Sequence, residues 1–160
     1  MSTSESTQQQ TQQQTQQPTQ LQLLDVKQLE ETLRLLVISL NKSCKNGSFT
    51  LDESYLLRLS LNNTEKSLLT LDTLQQYFQE KEKKADKTVL DELSSKVELL
   101  DVSKLNNTLN LINTSLNKAC KDGTFTLDES YLLKVAMSNM EKLMQTLDTL
   151  QKLFQENNKQ

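Results

Sequence analysis

The stretch SLNKSCKNGSFTLDESYLL at residues 39–57 returns as SLNKACKDGTFTLDESYLL at residues 115–133, with 16 of 19 positions identical. Extended both ways, the match runs without a gap from Leu24–Glu80 onto Leu100–Glu156, where 35 of 57 positions are identical. A unit copied within one chain must hide its apolar face against its copy or a neighbour. The repeat therefore constrains the architecture before any helix is drawn.

The repeated phrase reads as a helix stop, a turn and a helix start. Lys42 and Lys45 suit the negative end of a helix, and Gly47 suits the left-handed residue just past it. Thr50 and Glu53 then form a capping box that opens the next helix. Lys118, Lys121, Gly123, Thr126 and Glu129 repeat the arrangement. Upstream, Asp25 is an N-cap flanked by a Leu24–Leu29 hydrophobic staple, and Asp101 does the same with Leu100 and Leu105. The spacing predicts helices over 26–45 and 102–121. Val26, Leu29, Leu33, Leu36, Leu40 and Cys44 form the apolar stripe of the first, and Val102, Leu105, Leu109, Ile112, Leu116 and Cys120 that of the second. Val37 and Ile38 become Asn113 and Thr114, which predicts a wider buried face for the first helix.

The helix after the first turn should run from Leu51 to about Lys83, roughly 48 Å against about 30 Å for its partner. Leu71, Leu74 and Phe78, with Leu147, Leu150 and Phe154 in the other copy, then overhang and need cover. Val89, Leu90, Leu93 and Val97 mark a short amphipathic helix in the connector that would cover one end. The other end would be left to unequal cover or to another chain. The segment from Lys84 to Asp86 holds no Gly or Pro to decide whether this helix is separate. The expected fold is all-α: two duplicated antiparallel helical hairpins in a four-helix bundle, with a connector helix. The divisions are a tail at 1–20, a hairpin at 21–84, a connector at 85–99 and a second hairpin at 100–160. An ancestral hairpin that paired with itself and was later fused would produce this pattern.

The first 20 residues hold nine Gln and five Thr and no aliphatic residue after Met1, a composition expected to be disordered. They resemble no signal peptide, and nothing later is long and apolar enough to span a membrane, so an intracellular protein is expected. The remaining residues carry all 18 basic side chains against 20 acidic ones, which disfavours nucleic acid.

The chain has no His, which removes Ser-His and Cys-His nucleophiles and the His-containing metal sites of helical bundles. Residues 118–129 lie on an EF-hand loop in register, yet Lys118 and Cys120 occupy positions where calcium needs carboxylates. A degenerate calcium sensor is thus the third-ranked reading. Cys44 and Cys120 read as small buried hydrophobes, and Met137, Met140 and Met144 as core filling. No enzyme, cofactor, metal or small-molecule substrate is expected. Identity between the copies is uneven, with 3 of 9 positions matching at 30–38 and 3 of 12 at 58–69. The invariant turns make Lys42, Lys45 and Asp52, with Lys118, Lys121 and Asp128, the candidate contact residues for a protein partner or for self-association. A regulatory adaptor whose Gln-rich tail recruits partners is the alternative.

At the Gly-x-Phe-x-Leu-x-Glu turn, Gly47 to Glu53 and Gly123 to Glu129, the chain resembles small helical proteins of unknown function from large DNA viruses of protists. The resemblance covers each hairpin and not the tail. It implies a virion-associated or virus-factory protein and carries no activity or site residue with it.

Overall fold

Each turn phrase ends one helix and starts the next, and five α-helices result. The structure, a computed structural model, describes residues 22–159, so the tail expectation for 1–20 lies outside the described residues. The helices are α1 (Val26–Lys45), α2 (Leu51–Glu82), α3 (Lys87–Lys96), α4 (Val102–Lys121) and α5 (Leu127–Asn157). They form a helical bundle in which α2 and α5 pack on each other and each packs on both α1 and α4, while α3 lies on α2. Among the described residues no helix is long and apolar enough to cross a membrane.

The core is aliphatic, with Leu36, Leu71, Leu74, Ile112, Leu143, Leu147 and Leu150 fully buried. Burying each such side chain is worth about 1.5–3 kcal/mol. Met137, Met140 and Met144 lie within this core. The buried face of α1 is rotated from the expected stripe: Thr32, Ser39 and Ser43 are buried, whereas Val26, Leu33 and Cys44 are half-buried. Thr32 and Ser43 satisfy their hydroxyls on the carbonyls four residues back, Gln28 and Ser39. A small hydroxyl residue can thus face a close-packed neighbour without leaving a polar group unpaired. The expected extra burial of α1 does not occur, because Ile38 is 66 % exposed.

The overhanging ends of α2 and α5 are covered within the chain. Leu71, Leu74, Phe78, Leu147, Leu150 and Phe154 are all buried. The Tyr77 ring stands 5.1 Å from the Phe154 ring at 77°, an edge-to-face pair. On the outer side Leu90, Leu93 and Val97 pack against the core, and the Thr70 hydroxyl donates to the Glu98 carbonyl at 3.3 Å.

A break separates α2 from α3. The Ala85 amide donates to the Glu80 carbonyl and the Lys84 amide to that of Lys81, while Lys84 takes a positive φ of 56°. The same pair of bonds closes α1, where Ser48 donates to Ser43 and Gly47, at φ 77°, to Cys44. Lys84 therefore occupies a left-handed capping position that Gly47 and Gly123 fill in the two turns.

Two buried glutamines fix where the shorter helices begin. The Gln75 side chain accepts from the Leu24 amide at 2.7 Å and donates to the Leu24 carbonyl at 3.0 Å. Gln151 repeats this on Leu100, at 2.7 and 3.1 Å. A primary amide has one acceptor and one donor side by side, so it pairs with the backbone as another peptide would.

Candidate functional site

The two turns lie side by side at one end of the bundle. Ser48 and Thr124 bring their hydroxyl oxygens within 3.2 Å, and both residues are buried. In each turn the helix start is a complete capping box. The Thr50 hydroxyl accepts from the Glu53 amide at 3.2 Å, and the Glu53 carboxylate accepts from the Thr50 amide at 2.7 Å. Thr126 and Glu129 match it at 3.2 and 2.8 Å. At the opposite ends of α1 and α4, Asp25 accepts from the Gln28 amide, and Asp101 from those of Ser103 and Lys104.

Each capping glutamate is held by a lysine from the other copy. Lys42 Nζ stands 2.8 Å from a Glu129 carboxylate oxygen, and Lys118 Nζ stands 3.0 Å from one of Glu53. The same ammonium groups lie over aromatic faces, Lys42 at 5.6 Å from the Phe125 ring centre and Lys118 at 5.8 Å from that of Phe49. The Thr50 amide and then the Lys118 ammonium hold the Glu53 carboxyl below its ordinary pKa. For Glu129 the Lys42 ammonium is the larger cause and the Thr126 amide the second. These contacts engage the ligating end of the EF-hand-like loop: Glu129 faces Lys42, and Lys118 faces Glu53. Among the described residues no three His, Cys, Asp or Glu side chains gather as a metal site.

The structure separates the six candidate contact residues into two groups. Lys42 and Lys118, themselves half-exposed, pair with carboxylates of the neighbouring copy, whereas Lys45, Asp52, Lys121 and Asp128 are exposed and form no ion pair among the described residues. Cys44 and Cys120 are half-buried rather than core residues. Their sulfurs lie 3.4 and 3.5 Å from the Ser54 and Ser130 hydroxyls, and those hydroxyls also donate to the Thr50 and Thr126 carbonyls. Local contacts thus account for the retention of Lys42, Cys44 and Ser54 in both copies.

Local contacts do not account for Leu51, Tyr55 and Leu56. Leu51 is 87 % and Tyr55 64 % exposed, and Leu56 and Leu59 continue the apolar surface. Leu127 is also 87 % exposed and Tyr131 70 %, continued by Leu132 and Val135. Residues spaced i, i+4 and i+8 share one side of a helix, so each copy carries an outward apolar row beside its buried one. The sequence signal for this was an excess: Leu57 and Leu61 already supply a core row for α2, and Leu51, Tyr55 and Leu59 make a second. No family model matches the chain, nor does any curated protein or solved structure.

Proposed function

We propose that the chain is a non-enzymatic helical interaction module that presents the same Leu–Tyr surface twice at the turn end of its bundle. In this reading two duplicated antiparallel hairpins form a four-helix bundle about a pseudo-twofold axis along its length. Contacts between equivalent residues at both ends support that axis: Ser48 with Thr124, and the Lys81 ammonium with the Asn157 side-chain oxygen at 2.9 Å. The observation that carries the function is the identical exposed row, Leu51 and Tyr55 in one copy and Leu127 and Tyr131 in the other. An exposed leucine buries almost no surface in the fold, and contiguous exposed apolar surface suits contact with another molecule. Tyrosine suits such a role because it offers large area and a polar tip at small entropic cost. Lys45, Asp52, Lys121 and Asp128 supply the charged rim, and the paired lysines Lys42 and Lys118 hold the two turns in register.

The test is site-specific photo-cross-linking in cells that make the chain, with the photoreactive residue at Tyr55, at Tyr131 or at the control position Val89. One protein captured from both tyrosine positions and not from Val89 supports the reading. No product above the control at either position overturns it.

A further inference from the structure

The segments in which the two copies differ most, 30–38 and 58–69, send part of their differences into the core, at Ser60, Thr64 and Ser67, and part onto one surface. They form the outer groove between α1 and α2, a cavity of about 520 Å³. Its apolar floor and walls include Val26, Leu33, Val37 and Leu61, and its lips are Ile38, 66 % exposed, and Leu69, 64 % exposed. In the other copy the equivalent positions to Glu30, Arg34, Val37, Ile38 and Leu69 are Asn106, Asn110, Asn113, Thr114 and Gln145. One copy has apolar lips and two further charges, Glu30 and Arg34, where the other has asparagine, threonine and glutamine, while Lys134, Glu141 and Asp148 keep the charges of Arg58, Glu65 and Asp72.

The charges along the groove are arranged by sign. The Leu24–Gln75 contact and the Cys44–Ser54 contact set the antiparallel register of α1 and α2. In that register Asp72 and Glu30 stand at the α1 N-terminal end, Arg34 and Glu65 near the middle, and Arg58 toward the turn. None of these five side chains takes part in an ion pair among the described residues. Asp72 accepts only a neutral hydrogen bond from Gln76 at 2.9 Å, whereas its equivalent Asp148 pairs with Lys152 on its own helix.

We infer that this groove is the interface of a homodimer in which a second copy packs on it end for end. Reversal brings the acidic end of each groove against the Arg58 end of the other, with Asp72 of one chain opposite Arg58 of its partner. A twofold interface uses the same patch on both chains, so a surface with opposite charges at its two ends is self-complementary only in this antiparallel sense. The groove is about 18 Å long from Val26 to Ile38, three helical turns, and its exposed lips are the surface that association would remove from water. The polar lips of the second copy then have a role of their own. A chain with the groove on both copies would offer two sticky faces and grow into open fibres, whereas one groove closes the assembly at two chains.

The experiment is sedimentation velocity on the full chain across a concentration series, with circular dichroism to check folding. The expected species is a concentration-dependent dimer. Ile38→Glu or Leu69→Glu should abolish it at unchanged helicity, and Leu51→Ser with Leu127→Ser should leave it intact. Arg58→Glu or Asp72→Lys alone should raise the dissociation constant about ten-fold, and the two together should restore it. Apolar substitution of the second copy, Asn113→Val with Thr114→Ile and Gln145→Leu, should give larger, polydisperse species. A monomer at every concentration, a dimer indifferent to Leu69→Glu, or no recovery in the double charge variant overturns the inference. Loss of the dimer in the Leu51→Ser, Leu127→Ser variant overturns it too, and the cross-linking result at Tyr55 and Tyr131 stands or falls separately.

Discussion

Ser48 and Thr124 occupy the same position in the two copies of the repeat, and their hydroxyls meet at 3.2 Å. A residue can touch its own equivalent only close to the axis that relates the copies. On either side of this contact the relationship becomes reciprocal, with Lys42 reaching Glu129 and Lys118 reaching Glu53. The two turns therefore contact each other reciprocally, and perturbing one should have paired effects.

Acid should weaken the turns. Glu53 and Glu129 lie below their ordinary carboxyl value of 4.5 in the folded chain, because amide and ammonium donors favour the ionised form. With the folded value depressed, the stabilisation is present above about pH 4.5 and is lost as pH falls through the folded values. The thermal midpoint should drop on acidification, and less steeply in a Glu53→Gln, Glu129→Gln variant. Equal slopes for the two proteins would show that the half-exposed pairs contribute nothing measurable.

Removing either buried glutamine should be costly. Gln75→Ala leaves the Leu24 amide and carbonyl without their partner, as Gln151→Ala does at Leu100. Each change should lower the unfolding free energy by about 1–3 kcal/mol, measured by urea denaturation. Similar losses at both sites would reflect the equivalence of the copies.

The three left-handed caps should respond in opposite directions. At Gly47 and Gly123 an added Cβ meets nothing within 4 Å, so Gly→Ala carries only the backbone penalty of about 1–2 kcal/mol. Lys84 already bears that penalty at φ 56°. Lys84→Gly should therefore raise the unfolding free energy measured by urea denaturation by roughly 0.5–1 kcal/mol, after the glycine's extra entropy in the unfolded chain.

The two apolar rows of α2 should differ in their response to truncation. Leu57→Ala empties a core position and should cost about 2–5 kcal/mol. Leu51→Ser changes a side chain that is almost wholly in solvent and should stay within about 0.5 kcal/mol. A large loss from Leu51→Ser would mean that the outward row supports the fold and is not a contact surface.

Features written in local chemistry were legible in the sequence. The ends of α1 and α4, the capping boxes and the glycine turns follow from side chains a few residues apart. The break at Lys84 was not, because a left-handed cap carried by lysine has no composition to announce it. The face of α1 was also ambiguous. A stripe through Leu33 and Cys44 and one through Thr32 and Ser43 differ by one residue of rotation, and close packing favoured the smaller side chains. Lys42 and Lys118 looked like partner-facing charges because their carboxylates lie 87 and 65 residues away. Leu51 and Tyr55 were hidden differently: an apolar side chain in the first turns of a helix reads as core until the neighbouring helix is seen to lie elsewhere.

The crossed lysine–glutamate pairs also bear on how the chain changes over time. A substitution at Lys42 is felt at the cap of the other copy, and one at Glu129 returns the disturbance to the end of α1. A change at any of these four residues therefore reaches both turns. The lips of the outer groove, Ile38 and Leu69, escape this coupling, and there the two copies present different surfaces, with Thr114 and Gln145 at the equivalent positions.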